Sequence, residues 1–161
     1  MIDVPQFRGP LTSLLREVFG LSDMPTGYFL DSGESGLLGL TKSIDAVTAS
    51  AVYLPGHETI AAHCGHVLYT LDLFLALERG ERPQPDWAAT WATQAVDEAG
   101  WAGLQAGIQS AYDGVMAALA QREEWPQPAI GAGLMLLAHT AYHVGVVHKM
   151  ITLQPADQAQ D

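Results

Sequence analysis

Cysteine and basic residues are scarce in this sequence. Cys64 is its only cysteine, which excludes an internal disulfide and any zinc site that needs two or more thiolates. The 7 lysines and arginines stand against 18 acidic residues, so the formal net charge is −11. Nucleic acids and anionic membrane surfaces are bound mainly through cationic side chains. The composition therefore predicts neither a nucleic-acid partner nor a membrane partner.

Long apolar runs and a secretory signal are also missing. The best apolar segment, GAGLMLLAHTAYHVGVV, carries two histidines, and a membrane span needs about 18 or more apolar residues in succession. The opening MIDVPQFRGP lacks a basic region followed by an apolar one. The 161 residues are 48% hydrophobic and 16% charged, which is ample for a folded core and unlike a disordered chain. We expect one cytoplasmic domain over residues 1–161.

Alternation of apolar and polar residues with period two is absent as well, so no strands are predicted. Apolar residues recur instead at spacings of three and four, between breaks rich in Gly and Pro. This pattern predicts an all-α fold, an antiparallel four-helix bundle with its core over about 36–153. An extra N-terminal helix is expected outside the bundle, and a polar tail at 154–161. The predicted helices span 11–19, 36–50, 58–79, 95–121 and 130–153.

The histidines fall in two short segments, 57–66 and 139–148. His139 and His143 are four residues apart, which places them one turn apart on the same face of the last helix. Two neutral imidazoles so placed can bind one divalent metal at about 2.0–2.1 Å each. His63 or His66, on the second bundle helix, would supply a third ligand across the core. The apolar seam of that helix favours His63.

The remaining candidate residues receive simpler interpretations. His148 points about 140° away from His143 at 100° per residue, and His57 precedes its helix. Cys64 lies in the apolar seam and is expected to be a buried, inert thiol. Asp72 is expected to be a solvated charge. The four tryptophans are expected to pack in the core or at a subunit contact. If no metal binds, the histidines are expected to be ordinary hydrogen-bonded core residues.

Two segments resemble the DinB-like (DinB/YfiT) superfamily. ETIAAHCGHVLYTLDL is followed about 60 residues later by LLAHTAYHVGVVHKM, and the second segment is similar to the HTAYHLG motif of that family. The resemblance implies a four-helix bundle whose metal is bound by His139, His143 and one histidine of the second helix. The family pattern W-S-x-x-E-x-x-x-H-L, aligned on Thr59, indicates His66, although Glu58 and Ala62 depart from it. His63 stays the alternative ligand.

The resemblance also implies a function. Several relatives are S-transferases that join a low-molecular-weight thiol, of the bacillithiol or mycothiol type, to a small electrophile. The expected cofactors are one divalent ion (zinc, nickel, iron or manganese) and such a thiol, and a homodimer is expected. The catalytic and thiol-binding residues cannot be assigned from the sequence. The alternatives are a non-catalytic metal-binding protein of the stress response and a structural or interaction bundle.

Overall fold

The computed structural model describes residues 4–20, 27–31 and 33–153, and these residues form helices and no strands. The all-α prediction is confirmed. A short 3₁₀ turn at Ala89–Trp91 lies between the fourth and fifth helices. The helices are α1 (Val4–Phe19), α2 (Leu37–Lys42), α3 (Ala46–Ser50), α4 (Ile60–Glu78), α5 (Glu98–Gln121) and α6 (Gln127–Ile151).

The three long helices α4, α5 and α6 begin and end close to the predicted positions, because local signals mark their ends. Thr59 caps α4 by accepting a hydrogen bond from the Ala62 N–H, and Asp97 caps α5 through the Gly100 N–H. Gly80, at a φ of 80°, terminates α4 in the left-handed conformation that favours glycine. The predicted tail at 154–161 lies outside the described residues.

The bundle core is made by α1, α4, α5 and α6. Helix α4 packs against both α5 and α6, while α1 packs against α6 and α5. Each helix turns large apolar side chains into the core, and those fully buried include Leu71, Ile108, Leu119 and Leu136. Because α4 and α6 are neighbours, the two histidine segments face each other across the core.

The N-terminal helix differs from the prediction in length and in place. It begins at Val4 and contains Pro10, and its Leu15, Val18 and Phe19 are buried in the main core. The expected position outside the bundle is therefore wrong. Pro10 has no N–H to donate to the preceding turn, but tertiary packing holds the helix together across it. Phe7 contacts Trp125 edge to face at 4.8 Å between ring centroids.

The single helix predicted at 36–50 is in fact two short helices, α2 and α3, joined by a turn. The turn forms because the Ser43 hydroxyl donates to the Leu40 carbonyl, while Asp45 starts α3 as its N-cap. Trp101 of α5 donates from its indole nitrogen to the Ile44 carbonyl at 3.1 Å. The break is thus stabilised by a partner helix that local sequence patterns do not reveal.

Two helices, α4 and α6, are long and apolar enough to cross a membrane by length and composition alone. The core helix of a soluble protein passes the same test. Of the most apolar window, 61% is buried inside the bundle for α4 and 39% for α6. Their apolar character is therefore weak evidence for a membrane span, and burial in the core accounts for much of it.

Truncation of a core side chain of α4 is expected to destabilise the bundle. Leu71 is fully buried, so Leu71→Ala should lower the free energy of unfolding by about 2–5 kcal/mol through lost burial and a cavity. Urea unfolding followed by circular dichroism measures the change. The matched control is Leu77→Ala on the same helix, where the side chain is 49% exposed. Equal losses for the two variants would contradict the assigned core.

Candidate metal centre

Four histidines from two facing helices meet in the bundle core. His63 and His66 lie on α4, and His139 and His143 lie on α6. His63, His66 and His143 are buried, while His139 is half-buried. The spacing of four residues on α6 stacks its pair one turn apart, and the α4–α6 contact places the other pair opposite.

Three of these histidines have converging ring nitrogens. His139 Nε2 lies 3.0 Å from His66 Nε2 and 3.2 Å from His143 Nε2. Potential ligand atoms of all three side chains lie within 4.8 Å of one another. Two imidazole nitrogens bound to one ion at about 2.0–2.1 Å, in tetrahedral or octahedral geometry, are about 3.0–3.4 Å apart. His66, His139 and His143 could therefore hold a single metal ion.

His63 occupies a different place in the cluster. Its Nδ1 lies 2.9 Å from Nδ1 of His143, on the side of that ring away from the contact with His139. His63 therefore contacts one member of the three-histidine group without being part of the group. The sequence left His63 and His66 as alternatives, and the structure brings His66 into the group.

Burial keeps these imidazoles neutral near pH 7. Desolvation lowers the pKa of His143 to about 3, with further lowering by the neighbouring His139, His63 and His66. Desolvation, followed by His139 and His63, lowers the pKa of His66 to about 4. The pKa of His139 is lowered by the same burial. The neutral imidazole is the form that binds a metal, so burial favours the charge state that metal binding needs.

The loop after α4 contributes two residues that sequence reasoning did not assign to the site. Trp91 stacks on His66 with 4.0 Å between ring centroids and 11° between ring planes, and it meets His63 edge to face at 5.3 Å. The hydroxyl of Thr90 lies 2.6 Å from His66 Nδ1. No helical periodicity marks this loop, so the sequence predicted packing for Trp91 and gave Thr90 no role in the site.

Thr59 explains how the loop comes to cover the cluster. Its hydroxyl donates to the Gln94 carbonyl at 2.7 Å, and its backbone N–H donates to the Gln94 side chain at 3.1 Å. The same hydroxyl caps α4. One residue thus starts the helix that carries His63 and His66 and ties the loop to that end of it.

The other sequence-predicted candidates lie apart from the three-histidine group. His148 Nδ1 lies 4.0 Å from Glu34 Oε1, and His57 is exposed before α4. Asp72 is exposed as well. Cys64 is fully buried, and burial raises the pKa of its thiol to about 12. This agrees with the prediction of an inert thiol.

The fold and the cluster define a class of protein, a helical bundle with a candidate metal centre of three histidines between facing helices. The sequence model of the DinB superfamily matches residues 30–147. This is more than half of the chain, and the chain belongs to the DinB superfamily. The resemblance drawn from the histidine segments is confirmed. Comparison with curated proteins gives no match, and comparison with solved structures gives none either.

Proposed function

We propose that this protein is a divalent-metal-dependent S-transferase, which joins a low-molecular-weight thiol to a small electrophile. The observation that carries the proposal is the convergence of His66, His139 and His143, three neutral imidazoles that could hold one ion. In the proposed reaction the thiolate sulfur forms a bond to an electrophilic carbon. The bond from that carbon to its leaving group breaks, and its electron pair goes to the halide that departs or to the epoxide oxygen that stays attached. The proton of the thiol passes to water, or to the opened epoxide oxygen.

The donor set fits a catalytic metal site better than a structural one. Structural zinc sites are closed by four protein ligands, whereas catalytic sites use three and keep one position open. A divalent ion bound here would act as a Lewis acid with an open position, where a thiol ionises near neutral pH. Among the described residues the group contains three histidines and no fourth protein ligand.

The residues around the cluster can exclude water and admit a small molecule. Trp91 covers the face of His66. A cavity of about 230 Å³ opens beside His63, the histidine whose Nδ1 contacts His143. Its volume suits a small electrophile rather than a polymer. The cavity is lined by Leu54, His57, Glu58, His63, Tyr142, Val146 and Met150.

A non-catalytic metal-binding protein of the stress response is the alternative. One observation favours it: the cavity beside His63 is lined by none of the three histidines that could hold the ion. Such a protein would bind the ion without catalysing a reaction.

Thiol consumption separates the two functions. Protein loaded with Zn²⁺ or Ni²⁺ is incubated with bacillithiol, mycothiol or glutathione and a panel of alkyl halides and epoxides, and free thiol is measured over time. The S-transferase predicts consumption that requires the metal and is lost in His139→Ala. Stoichiometric metal without thiol consumption, across the whole panel, would instead establish the non-catalytic alternative.

We also propose that the protein functions as a homodimer in the cytoplasm. Leu134 and Tyr142 expose 50% and 66% of their surface on α6, and Met135 beside them is exposed too, which gives this helix an apolar outer face. Sedimentation equilibrium at micromolar concentration should give twice the chain mass of 17.2 kDa. Tyr142→Lys should shift the protein toward the monomer, and a wild-type mass of a single chain would refute the dimer.

A further inference from the structure

We infer that Thr90 fixes which ring nitrogen carries the proton in all four clustered histidines. The hydroxyl of Thr90 donates its only proton to the Trp87 carbonyl at 2.7 Å. It therefore has only acceptor capacity left for His66 Nδ1, which lies 2.6 Å away. His66 must donate from Nδ1. A neutral imidazole has one N–H, so His66 Nε2 presents a bare lone pair to the centre of the cluster.

The assignment passes from His66 to His139 through their contact. The two Nε2 atoms are 3.0 Å apart, and a hydrogen bond between them requires a proton on one of the two. Because His66 Nε2 is bare, His139 carries its proton on Nε2 and donates it toward the centre. Its Nδ1 is then bare, and this atom is buried with no hydrogen-bond partner among the described residues.

The same reasoning continues through His143 to His63. His143 Nε2 lies 3.2 Å from His139 Nε2, which carries a proton and has no lone pair left to accept with. His143 Nε2 is therefore bare and shares the His139 proton with His66 as a second acceptor. His143 must therefore carry its proton on Nδ1, which it donates to His63 Nδ1 at 2.9 Å. His63 then carries its proton on Nε2. The Thr90 hydroxyl thus sets the tautomers of four histidines through four successive contacts.

This pattern prepares the cluster for a metal. His66 and His143 already direct lone pairs to the centre, and only His139 holds a proton there. Ion binding requires His139 to lose the Nε2 proton and take one up from water at Nδ1, with no net change in proton count. Thr90 and His63 are positioning residues in this scheme, because they act on the ligands through hydrogen bonds.

The tautomer assignment is tested in metal-free protein, independently of any activity. Long-range ¹H–¹⁵N correlation spectra of ¹⁵N-labelled protein at pH 7.5 distinguish protonated from bare ring nitrogens. We expect Nδ1–H for His66 and His143 and Nε2–H for His139 and His63. In Thr90→Val, which keeps the shape of the side chain, His66 should populate both tautomers. Thr90→Ser should restore the wild-type pattern. An Nε2–H tautomer of His66 in the wild type, or an unchanged pattern in Thr90→Val, would overturn the inference.

The effect on metal affinity rests on the proposed function and uses Zn²⁺ titration by calorimetry. Loss of a hydrogen-bond partner behind a ligating histidine typically weakens binding about 10–100-fold. We expect that loss in Thr90→Val and near wild-type affinity in Thr90→Ser. No Zn²⁺ binding by the wild type would remove the proposed function and leave the spectroscopic test standing. Equal affinity in wild type and Thr90→Val would remove the positioning role alone.

His63 offers a second pair of variants. His63→Asn keeps an acceptor oxygen near the position of Nδ1, whereas His63→Leu keeps bulk without an acceptor. If His63 positions His143, the asparagine variant should bind Zn²⁺ within about threefold of wild type, and the leucine variant should lose about tenfold or more. Equally severe losses in both would make His63 a ligand and overturn its positioning role.

Discussion

Replacing both His139 and His143 by alanine is expected to abolish stoichiometric binding of a divalent ion while leaving the helices intact. These residues supply two of the three converging ring nitrogens, and a lone remaining imidazole binds metal weakly. The fold should survive because the apolar faces of α1, α4, α5 and α6 make up the core. Elemental analysis of protein purified without a histidine tag measures the metal, and far-UV circular dichroism measures the helices.

The control for this variant replaces a histidine of the same helix. His148 lies against Glu34, away from the three-histidine group, so His148→Ala should retain one metal per chain. Added Zn²⁺ should raise the melting temperature of the wild type and of His148→Ala, because an ion that binds only the native state stabilises it. The double variant should show no such rise. Unchanged metal content in the double variant would leave a structural bundle as the remaining interpretation.

Acid is expected to destabilise the metal-free protein before the carboxylates titrate. The pKa of His66 is lowered to about 4 and that of His143 to about 3, mainly by desolvation. An unfolded histidine titrates near 6.5. Between these values the unfolded chain binds more protons than the native state, so the free energy of unfolding falls as the pH falls. Each of the two groups should contribute a loss on the order of 1–2 kcal/mol between pH 7.5 and pH 5.

Urea unfolding of metal-free protein at several pH values measures this dependence. The variant with both His66→Leu and His143→Leu removes the two titrating groups, and it should lose distinctly less stability between pH 7.5 and pH 5. His57→Leu changes an exposed histidine before α4 and should keep the wild-type slope. A wild-type stability that is flat over this range would show that the imidazoles are not held neutral by burial.

The long helices were predictable because their information is local. In α4, α5 and α6 the apolar residues recur every three or four positions, and Thr59, Gly80 and Asp97 mark ends through their own conformational preferences. Helix α1 was misplaced because Pro10 breaks the local pattern. What stabilises α1 is contact with residues distant in sequence, such as Trp125, and no local pattern encodes that contact.

The candidate site also contains some residues that the sequence could predict and others that it could not. The spacing of His139 and His143 placed both on one face of α6, and the structure brings them together. Counting along the apolar seam of α4 favoured His63, and only the resemblance to the family pattern indicated His66; both side chains are buried. The difference lies in which ring nitrogens reach across to α6. Thr90 and Trp91 come from an irregular loop, which is held against α4 by contacts between residues distant in sequence, such as the hydrogen bond from Thr59 to Gln94.

Anomalous diffraction from a crystal grown with Zn²⁺ is the most direct test of the proposed metal centre. We expect one strong peak per chain, about 2.0–2.1 Å from Nε2 of His66, His139 and His143, with His63 hydrogen-bonded to His143 and outside the coordination sphere. A peak bound by His63 in place of His66, or no peak among these four histidines, would contradict the account.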